Sequence, residues 1–299
     1  RKLKFSFSAK AFTEVFTYSF CSAKENQFED KDAQGLALQN PMPEEFQELK
    51  LSPYPSLIKS IISNQDRFEQ IRVFEYARTY HRQKDELAAE KRWFCFAQLK
   101  NYKKNTPLES FTQDFLNLRD DVLQILLELN LPEISLERTQ ISYLHPNASL
   151  VAKWEGKTLF ELGYLHPAQQ DSLGLNQRLL LGKIDFSILL ELYQKHIQSN
   201  RFHAPSVFPE DKIDISLVLD EKEPSEAYAN IISQAQIPEA QKVWVHDIYS
   251  GENLPEGKKS VTYRVQLVTY DKTFSGKRIQ EITQTLVHLA KDNNLQMRE

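Results

Sequence analysis

Apolar and polar positions along the first two hundred residues predict a mixture of strands and helices. From Phe111 to Leu129 apolar residues recur every three or four positions, which is typical of an amphipathic helix. Runs rich in aromatic and β-branched residues predict strands, and these lie at 14–20, 71–80, 93–99 and 179–185. Further helices are predicted at 55–67 and 187–198. The segments 150–154 and 159–165, joined through Glu155-Gly156, predict a hairpin.

The pattern changes after a polar stretch from Ser199 to Pro205, where we place a domain boundary. Residues 213–219 alternate between apolar and polar side chains, as a half-buried strand does. Pro224 is predicted to open a helix, and Ser275 is a suitable N-cap for a second one. The other predicted strands are 242–249, 260–269 and 295–298.

These elements define two expected domains, at 1–200 and at 205–299. The first reads as an α+β domain built on an antiparallel sheet. The second has the order strand–helix–strand–strand–helix–strand, which is the ferredoxin-like βαββαβ arrangement. In that arrangement two helices cover one face of the sheet and leave the other face open.

Composition narrows the classes of function. The chain has 299 residues, of which 41% are hydrophobic and 26% are charged, as is ordinary for a globular protein. No apolar run is long enough to span a membrane, so we expect no membrane partner. The two cysteines are far apart in sequence, which favours a reducing cytoplasm over a disulfide framework. Because the chain starts at Arg1, we expect it to be a fragment of a longer protein.

No catalytic, metal or cofactor site is predicted in this chain. Its seven histidines show no spacing suited to metal ligands. Carboxylate pairs such as Asp120-Asp121 are adjacent on a helix and therefore do not face each other. The net charge of −4 also excludes a generally basic surface, so any contact with nucleic acid must be local.

Several short motifs point to a known family. In the last hundred residues they are Phe208-Pro209, Asp247-Ile248-Tyr249 and 254–260, Leu-Pro-Glu-Gly-Lys-Lys-Ser. Earlier in the chain they are 14–20 (Glu-Val-Phe-Thr-Tyr-Ser-Phe), Asn40-Pro41, 72–75 (Arg-Val-Phe-Glu), Asp114-Phe115, 144–146 (Leu-His-Pro), 161–163 (Glu-Leu-Gly) and His166-Pro167. In this order they resemble the C-terminal part of the β-subunit of bacterial phenylalanyl-tRNA synthetases.

The resemblance implies a fold and a set of partners. It implies a degenerate class II synthetase-like domain without the chemistry, followed by a ferredoxin-fold anticodon-binding domain. The implied complex is an (αβ)2 heterotetramer in which the α-subunit uses ATP and Mg to charge phenylalanine tRNA. This chain would hold the α-subunit and bind the anticodon region. In agreement, none of the eight glycines forms the G-x-G pattern that an ATP site of this class would need.

The resemblance also implies which residues meet the tRNA. Asp247 and Tyr249 occupy the positions that meet the anticodon, where an aromatic ring can stack on an unpaired base and a carboxylate can accept hydrogen bonds. Lys258, Lys259 and Arg264 are candidates for a patch that contacts phosphate beside them. A tyrosine that caps the core, and a solvated run of charges, are the structural alternatives.

Two other functions remain open. From residue 205 onward there are 11 Lys and Arg against 15 Asp and Glu, and the chain reads Lys212-Ile213-Asp214 where the family usually has Arg-Arg-Asp. An acidic domain of this kind favours, as an alternative, a module that serves only in assembly and has lost affinity for RNA. An unrelated enzyme with its site at the boundary between the domains is the third possibility.

Overall fold

The computed structural model describes residues 1–40, 43–83, 88–103, 105–132, 134–199, 204–235, 237–251 and 254–298. The chain divides into two compact units, Arg1–Arg201 and Phe202–Glu299. Of the polar stretch in which we placed the boundary, residues 200–203 lie outside the described residues. Helices and antiparallel strands occur in both units, so the expected α+β class is confirmed.

The larger unit is built on a seven-stranded sheet of order β1-β5-β6-β10-β9-β8-β7, in which only β1 and β5 pair in parallel. A small three-stranded sheet, β2-β4-β3, forms beside it. The elements in chain order are α1 (Lys2–Ala9), β1 (Thr13–Glu14), β2 (Phe20–Cys21), α2 (Ala23–Asn26), β3 (Leu36–Ala37), β4 (Glu48–Leu49), α3 (Tyr54–Ile62), β5 (Gln70–His81), β6 (Ala89–Lys100), α4 (Leu108–Glu128), β7 (Leu136–Arg138), β8 (Leu144–Trp154), β9 (Lys157–Leu165), α5 (Pro167–Ser172), β10 (Leu179–Asp185) and α6 (Phe186–Ser199).

Both faces of the seven-stranded sheet are covered. One face packs against α1, α4 and α6 around Phe74 and Phe96. The other packs against α3 around Val73 and Ala77. Successive residues of β5 enter different cores because side chains alternate along a strand. The large sheet therefore offers little open surface.

Most elements predicted in this unit are confirmed. The long amphipathic helix is α4, and the last predicted strand is β10, Leu179–Asp185. The hairpin turns at Glu155 and Gly156, whose φ angles of 49° and 76° are those of a tight turn between twisted strands. The helix predicted at 55–67 ends earlier, at Ile62.

The strand predicted at 14–20 is wrong over most of its length. Only Thr13–Glu14 and Phe20–Cys21 belong to strands. Between them, the N–H and hydroxyl of Thr17 bond to the Glu75 carboxylate at 2.8 and 2.9 Å. A partner 58 positions away in sequence thus replaces the ladder of hydrogen bonds that a strand would need.

A buried group of charges lies between the seven-stranded sheet and the segment before α3. Lys183 of β10 and Glu161 of β9 are only 6% and 7% exposed. The Lys183 ammonium lies 2.7 Å from both carboxylate oxygens of Glu29 and 3.5 Å from Glu161. Burial alone would lower the pKa of Lys183, but the two carboxylates outweigh it and raise that pKa. These three residues form the Lys183 cluster.

Aromatic rings surround the Lys183 cluster. Rings of Tyr54, Trp93 and Tyr143 have their centroids 4.9 to 5.5 Å from the ammonium. Tyr54 donates its hydroxyl hydrogen to Glu161 at 2.9 Å, and Tyr143 donates to the same oxygen. Burial, and then the Glu161 charge, raise the pKa of both phenols, so the hydroxyls stay protonated as donors. Each ionised group of the cluster is therefore paired.

The smaller unit is a four-stranded antiparallel sheet of order β12-β13-β11-β14 with two helices on one face. Its elements are β11 (Asp211–Asp220), α7 (Ala227–Gln234), β12 (Ala240–Tyr249), β13 (Lys258–Leu267), α8 (Gly276–Asp292) and β14 (Gln296–Met297). The ferredoxin-like order is confirmed. So is the N-cap of the last helix, since the Ser275 hydroxyl accepts a hydrogen bond from the Arg278 N–H at 3.2 Å.

The prediction that Pro224 opens a helix is wrong, since α7 begins three residues later, at Ala227. Side chains of β13 donate hydrogen bonds to two carbonyls in the segment before α7. Lys259 donates to the Glu223 carbonyl, and Tyr263 donates to the Ser225 carbonyl at 2.7 Å. These bonds fix a non-helical connection between β11 and α7.

Removing the cation of the Lys183 cluster should destabilise the larger unit strongly. Lys183→Met leaves two carboxylates without their ion-pair partner, and we expect a loss of about 3–5 kcal/mol in the free energy of unfolding. Urea unfolding measures the loss. The matched control is Lys157→Met, which removes an exposed pair with Glu191 and should cost no more than about 1 kcal/mol. Equal losses of unfolding free energy in Lys183→Met and Lys157→Met would contradict the conclusion that the Lys183 charge is buried and paired.

Gly182 of β10 lies against an aromatic ring. A Cβ there would be 2.2 Å from the Phe96 ring and 3.0 Å from the Glu161 carbonyl. Gly182→Ala should therefore cost about 1–3 kcal/mol in thermal or urea unfolding. Gly276→Ala serves as the control because a Cβ at the start of α8 meets nothing within 4 Å. If both alanine variants have the same unfolding free energy as the parent protein, Gly182 does not lie as close to the Phe96 ring as the structure shows.

Candidate nucleic-acid interface

Among the residues that the structure describes, no helix covers one face of the four-stranded sheet. On β13, Val261, Tyr263 and Val265 point into the core, so the residues between them point to the other side. The cross-strand register then identifies their neighbours on that side. We call this side the open face, and it carries Lys212, Asp214, Ser216, Val218 and Asp220 of β11, Lys242, Trp244, Asp247 and Tyr249 of β12, Lys258, Ser260, Thr262, Arg264 and Gln266 of β13, and Gln296 and Arg298 at β14.

Tyr249 ends β12 and is half-buried opposite Ser260. The guanidinium carbon of Arg298 lies 4.7 Å from the centroid of its ring. These two residues come from opposite edges of the sheet, and the Arg298 N–H donates to the Ser216 carbonyl at 2.9 Å. The ring and the guanidinium therefore meet across the open face in a cation–π contact.

Backbone also packs closely against the Tyr249 ring. A Cβ on Gly251 would lie 2.5 Å from the phenol oxygen and 2.7 Å from the ring carbon that bears it. Only a residue without a side chain fits there unless the ring moves. Gly251 thus helps to set the orientation of the ring.

Ser260 is the most deeply buried polar residue of the open face. It is 1% exposed, and its hydroxyl has no hydrogen-bond partner among the described residues. A buried hydroxyl without a partner costs free energy, and a ligand could supply that partner only if a neighbouring side chain moved aside. The alternation of β13 could have indicated Ser260, because it shares the side of Arg264. No comparable pattern in the sequence indicates Arg298.

Asp247 is exposed and lies opposite Thr262, just beyond an irregularity in the pairing between Val245 and Asp247. Asp247 and Tyr249 share a face because they are two positions apart, and the irregularity brings that face to the side of Trp244. The Thr262 hydroxyl is 2.8 Å from the Ser216 hydroxyl. The predicted pair of Asp247 and Tyr249 is therefore brought together with further hydroxyl groups.

The three predicted phosphate contacts are not brought together. Arg264 and Lys258 lie on the open face, but each pairs with a carboxylate of β11. Arg264 contacts Asp214 through two bonds of 2.7 and 2.6 Å, and these lower the pKa of Asp214. Lys258 lies 2.8 Å from Asp220. Lys259 points to the helix side, is 9% exposed and donates to a backbone carbonyl, so it is not part of this surface.

The part of the chain that the structure describes holds neither a metal site nor a membrane span. No group of three or more His, Cys, Asp and Glu side chains within it is placed to hold a metal ion. Among the same residues, no helix has both the length and the apolar character that crossing a membrane requires.

Two domain families match the chain. Residues 1–186 match the phenylalanyl tRNA synthetase beta chain CLM domain, and residues 206–298 match the ferredoxin-fold anticodon binding domain. The pyrrolysyl-tRNA synthetase from Desulfitobacterium hafniense has a similar fold, with a TM-score of 0.51 at 16% identity over 68% of this chain and 71% of that one. The expected succession of a synthetase-like fold and a ferredoxin-like fold is thus confirmed.

The three relatives described next are all named phenylalanine–tRNA ligase beta subunits. The phenylalanine–tRNA ligase beta subunit of Leptospira biflexa is 41% identical over 96% of this chain and 36% of that subunit. The Leptospira interrogans subunit is 39% identical over 100% of this chain and 38% of that subunit. That of Geobacter sulfurreducens is 27% identical over 93% and 36%. The chain thus spans just over a third of the length of these relatives. With its first 186 residues matched by the corresponding domain family, it belongs to the phenylalanyl-tRNA synthetase beta chains.

Proposed function

We propose that this chain binds the anticodon region of phenylalanine tRNA through its open face and holds the catalytic α-subunit of the ligase. The observation that supports this most is the group formed by Tyr249, Arg298 and Ser260. It joins the cation–π contact of a ring and a guanidinium to a buried hydroxyl that has no partner among the described residues. Single-stranded RNA is recognised in this way, by stacking on rings and guanidinium planes and by hydrogen bonds to base edges.

Recognition would depend on stacking more than on charge. The cations Arg264 and Lys258 are already paired with Asp214 and Asp220, so few positive charges remain for phosphates. A base that joins the Tyr249 and Arg298 contact brings its edge near Asp247 and Ser260. The carboxylate can accept hydrogen bonds from donors such as those of guanine, and the Ser260 hydroxyl can join the contact when the base displaces the side chains that cover it.

The larger unit would serve as a scaffold without chemistry of its own. On the face that packs against α3, the ammonium groups of Lys183 and Lys50 lie within 4 Å of Glu161 and Glu75. Paired and buried charges of this kind do not suit a triphosphate. ATP and Mg would act in the α-subunit instead, within a cytoplasmic (αβ)2 heterotetramer.

Assembly without RNA binding is the second candidate. The ion pairs between Arg264 and Asp214 and between Lys258 and Asp220 favour it, because they neutralise the cations of the open face. Binding to RNA at several salt concentrations separates the two functions.

Tyr249→Ala in the full-length protein should weaken binding to phenylalanine tRNA about 5- to 150-fold, since stacking contributes about 1–3 kcal/mol per base. Tyr249→Phe keeps the ring and should lose less. Filter binding with the assembled ligase measures both variants. Tyr270→Ala removes an exposed tyrosine outside the open face and controls for a general loss of aromatic surface. An affinity unchanged in Tyr249→Ala would remove this ring from the interface.

Salt dependence gives a separate test on the isolated anticodon stem and loop. Among the described residues, the open face carries five cations, Lys212, Lys242, Lys258, Arg264 and Arg298, so it can neutralise no more than five phosphates. The slope of log affinity against log salt should then be no steeper than about −3.5. A wild-type protein that does not bind this RNA at low salt would favour the function in assembly alone.

A further inference from the structure

Trp244 lies on the same open face as Tyr249, further along β12. It is opposite Arg264 of β13, whereas Tyr249 is opposite Ser260. Those two β13 residues are four positions apart, which corresponds to about 14 Å along a strand. The two rings are therefore too far apart to stack on one base, but both project from one strand on one side of the sheet.

The position of Trp244 is not explained by packing inside the unit. Val243 and Val245, its neighbours on β12, pack against the buried core. The indole projects to the other side and is half-buried there, outside that core. By contrast, Trp93 donates its N–H to Thr79 at 2.9 Å, and Trp154 packs against the core of the larger unit. Trp244 thus presents part of a large flat apolar side chain to solvent on the open face.

Cationic side chains flank this indole. The Lys242 ammonium lies 5.7 Å from the ring centroid, and Arg264 is its cross-strand neighbour. β12 is also an edge strand, so Trp244 can be approached from the side of the sheet as well as from above. A flat ring beside a cation on a flexible side chain matches a nucleotide, which has a planar base and a phosphate to be neutralised.

We infer that Trp244 is a second stacking site, which takes another unpaired nucleotide of the RNA strand that places a base on Tyr249. This inference rests on the proposed function and extends it along β12. Lys242 contacts the phosphate of the second nucleotide. The open face then reads two separate bases, with the polar pair Arg264 and Asp214 beside the second one.

The alternative is that Trp244 only shields the ion pair between Arg264 and Asp214. In that case Trp244→Ala changes the stability of the smaller unit and leaves the affinity for RNA as it was. Thermal unfolding of each variant is therefore measured beside its binding. Binding is measured with the full-length protein and an RNA hairpin that reproduces the anticodon stem and loop of phenylalanine tRNA.

Trp244→Ala should weaken binding of this hairpin about 5- to 150-fold, and Trp244→Phe should restore most of the affinity. Tyr270→Ala is the matched control and should bind like the wild type. Stacking should also quench part of the tryptophan fluorescence of the wild type, and this quenching should be absent in Trp244→Phe. Hairpins with one abasic nucleotide at each loop position then identify the base. One abasic loop position should no longer weaken binding to Trp244→Ala, and a different abasic position should no longer weaken binding to Tyr249→Ala.

The outcomes separate the two proposals. If Tyr249→Ala weakens binding but Trp244→Ala stays within twofold of the wild type, the second stacking site is wrong and the proposed function stands. The second stacking site is also wrong if both alanine variants become insensitive to the same abasic position. If the wild-type protein does not bind the hairpin, both proposals fail together.

Discussion

Alternation of side chains along β13 is the constraint on which the candidate interface depends. Val261, Tyr263 and Val265 must face the helices to form the core, and this fixes Ser260 and Arg264 on the other side. A shift of one residue in the pairing would bury a guanidinium and expose three core residues. The core of the smaller unit thus determines which groups are offered to a ligand.

The two sheets of the protein use their faces differently. The larger sheet is covered on both sides, and its internal charges are paired, as in the Lys183 cluster. Among the described residues, helices cover the smaller sheet on one side only, and the other side carries Ser260, whose buried hydroxyl has no partner there. The two units thus differ in how far the described helices cover their sheets and in whether the polar groups inside are paired.

Periodic patterns predicted most of the fold, and long-range contacts explain the failures. Local periodicity was sufficient for α4, for β10 and for the βαββαβ order. It failed at residues 15–19, where the backbone bonds to the distant side chain of Glu75. The candidate phosphate patch also joined Lys259 to Lys258, although adjacent residues of a strand point to opposite sides. The predicted strand at 295–298 anticipated β14, but the contact of Arg298 with Tyr249 on the opposite edge strand depends on side-chain conformations that no pattern in the sequence gives.

Because Gly251 lies close to the Tyr249 ring, the residue type at each of these two positions restricts the residue type at the other. A side chain at 251 and a phenol at 249 exclude each other sterically in this arrangement. A lineage that gains any larger residue at 251 must therefore accept a smaller or displaced ring two positions earlier. The backbone at Gly251 thus limits which side chains position 249 can hold.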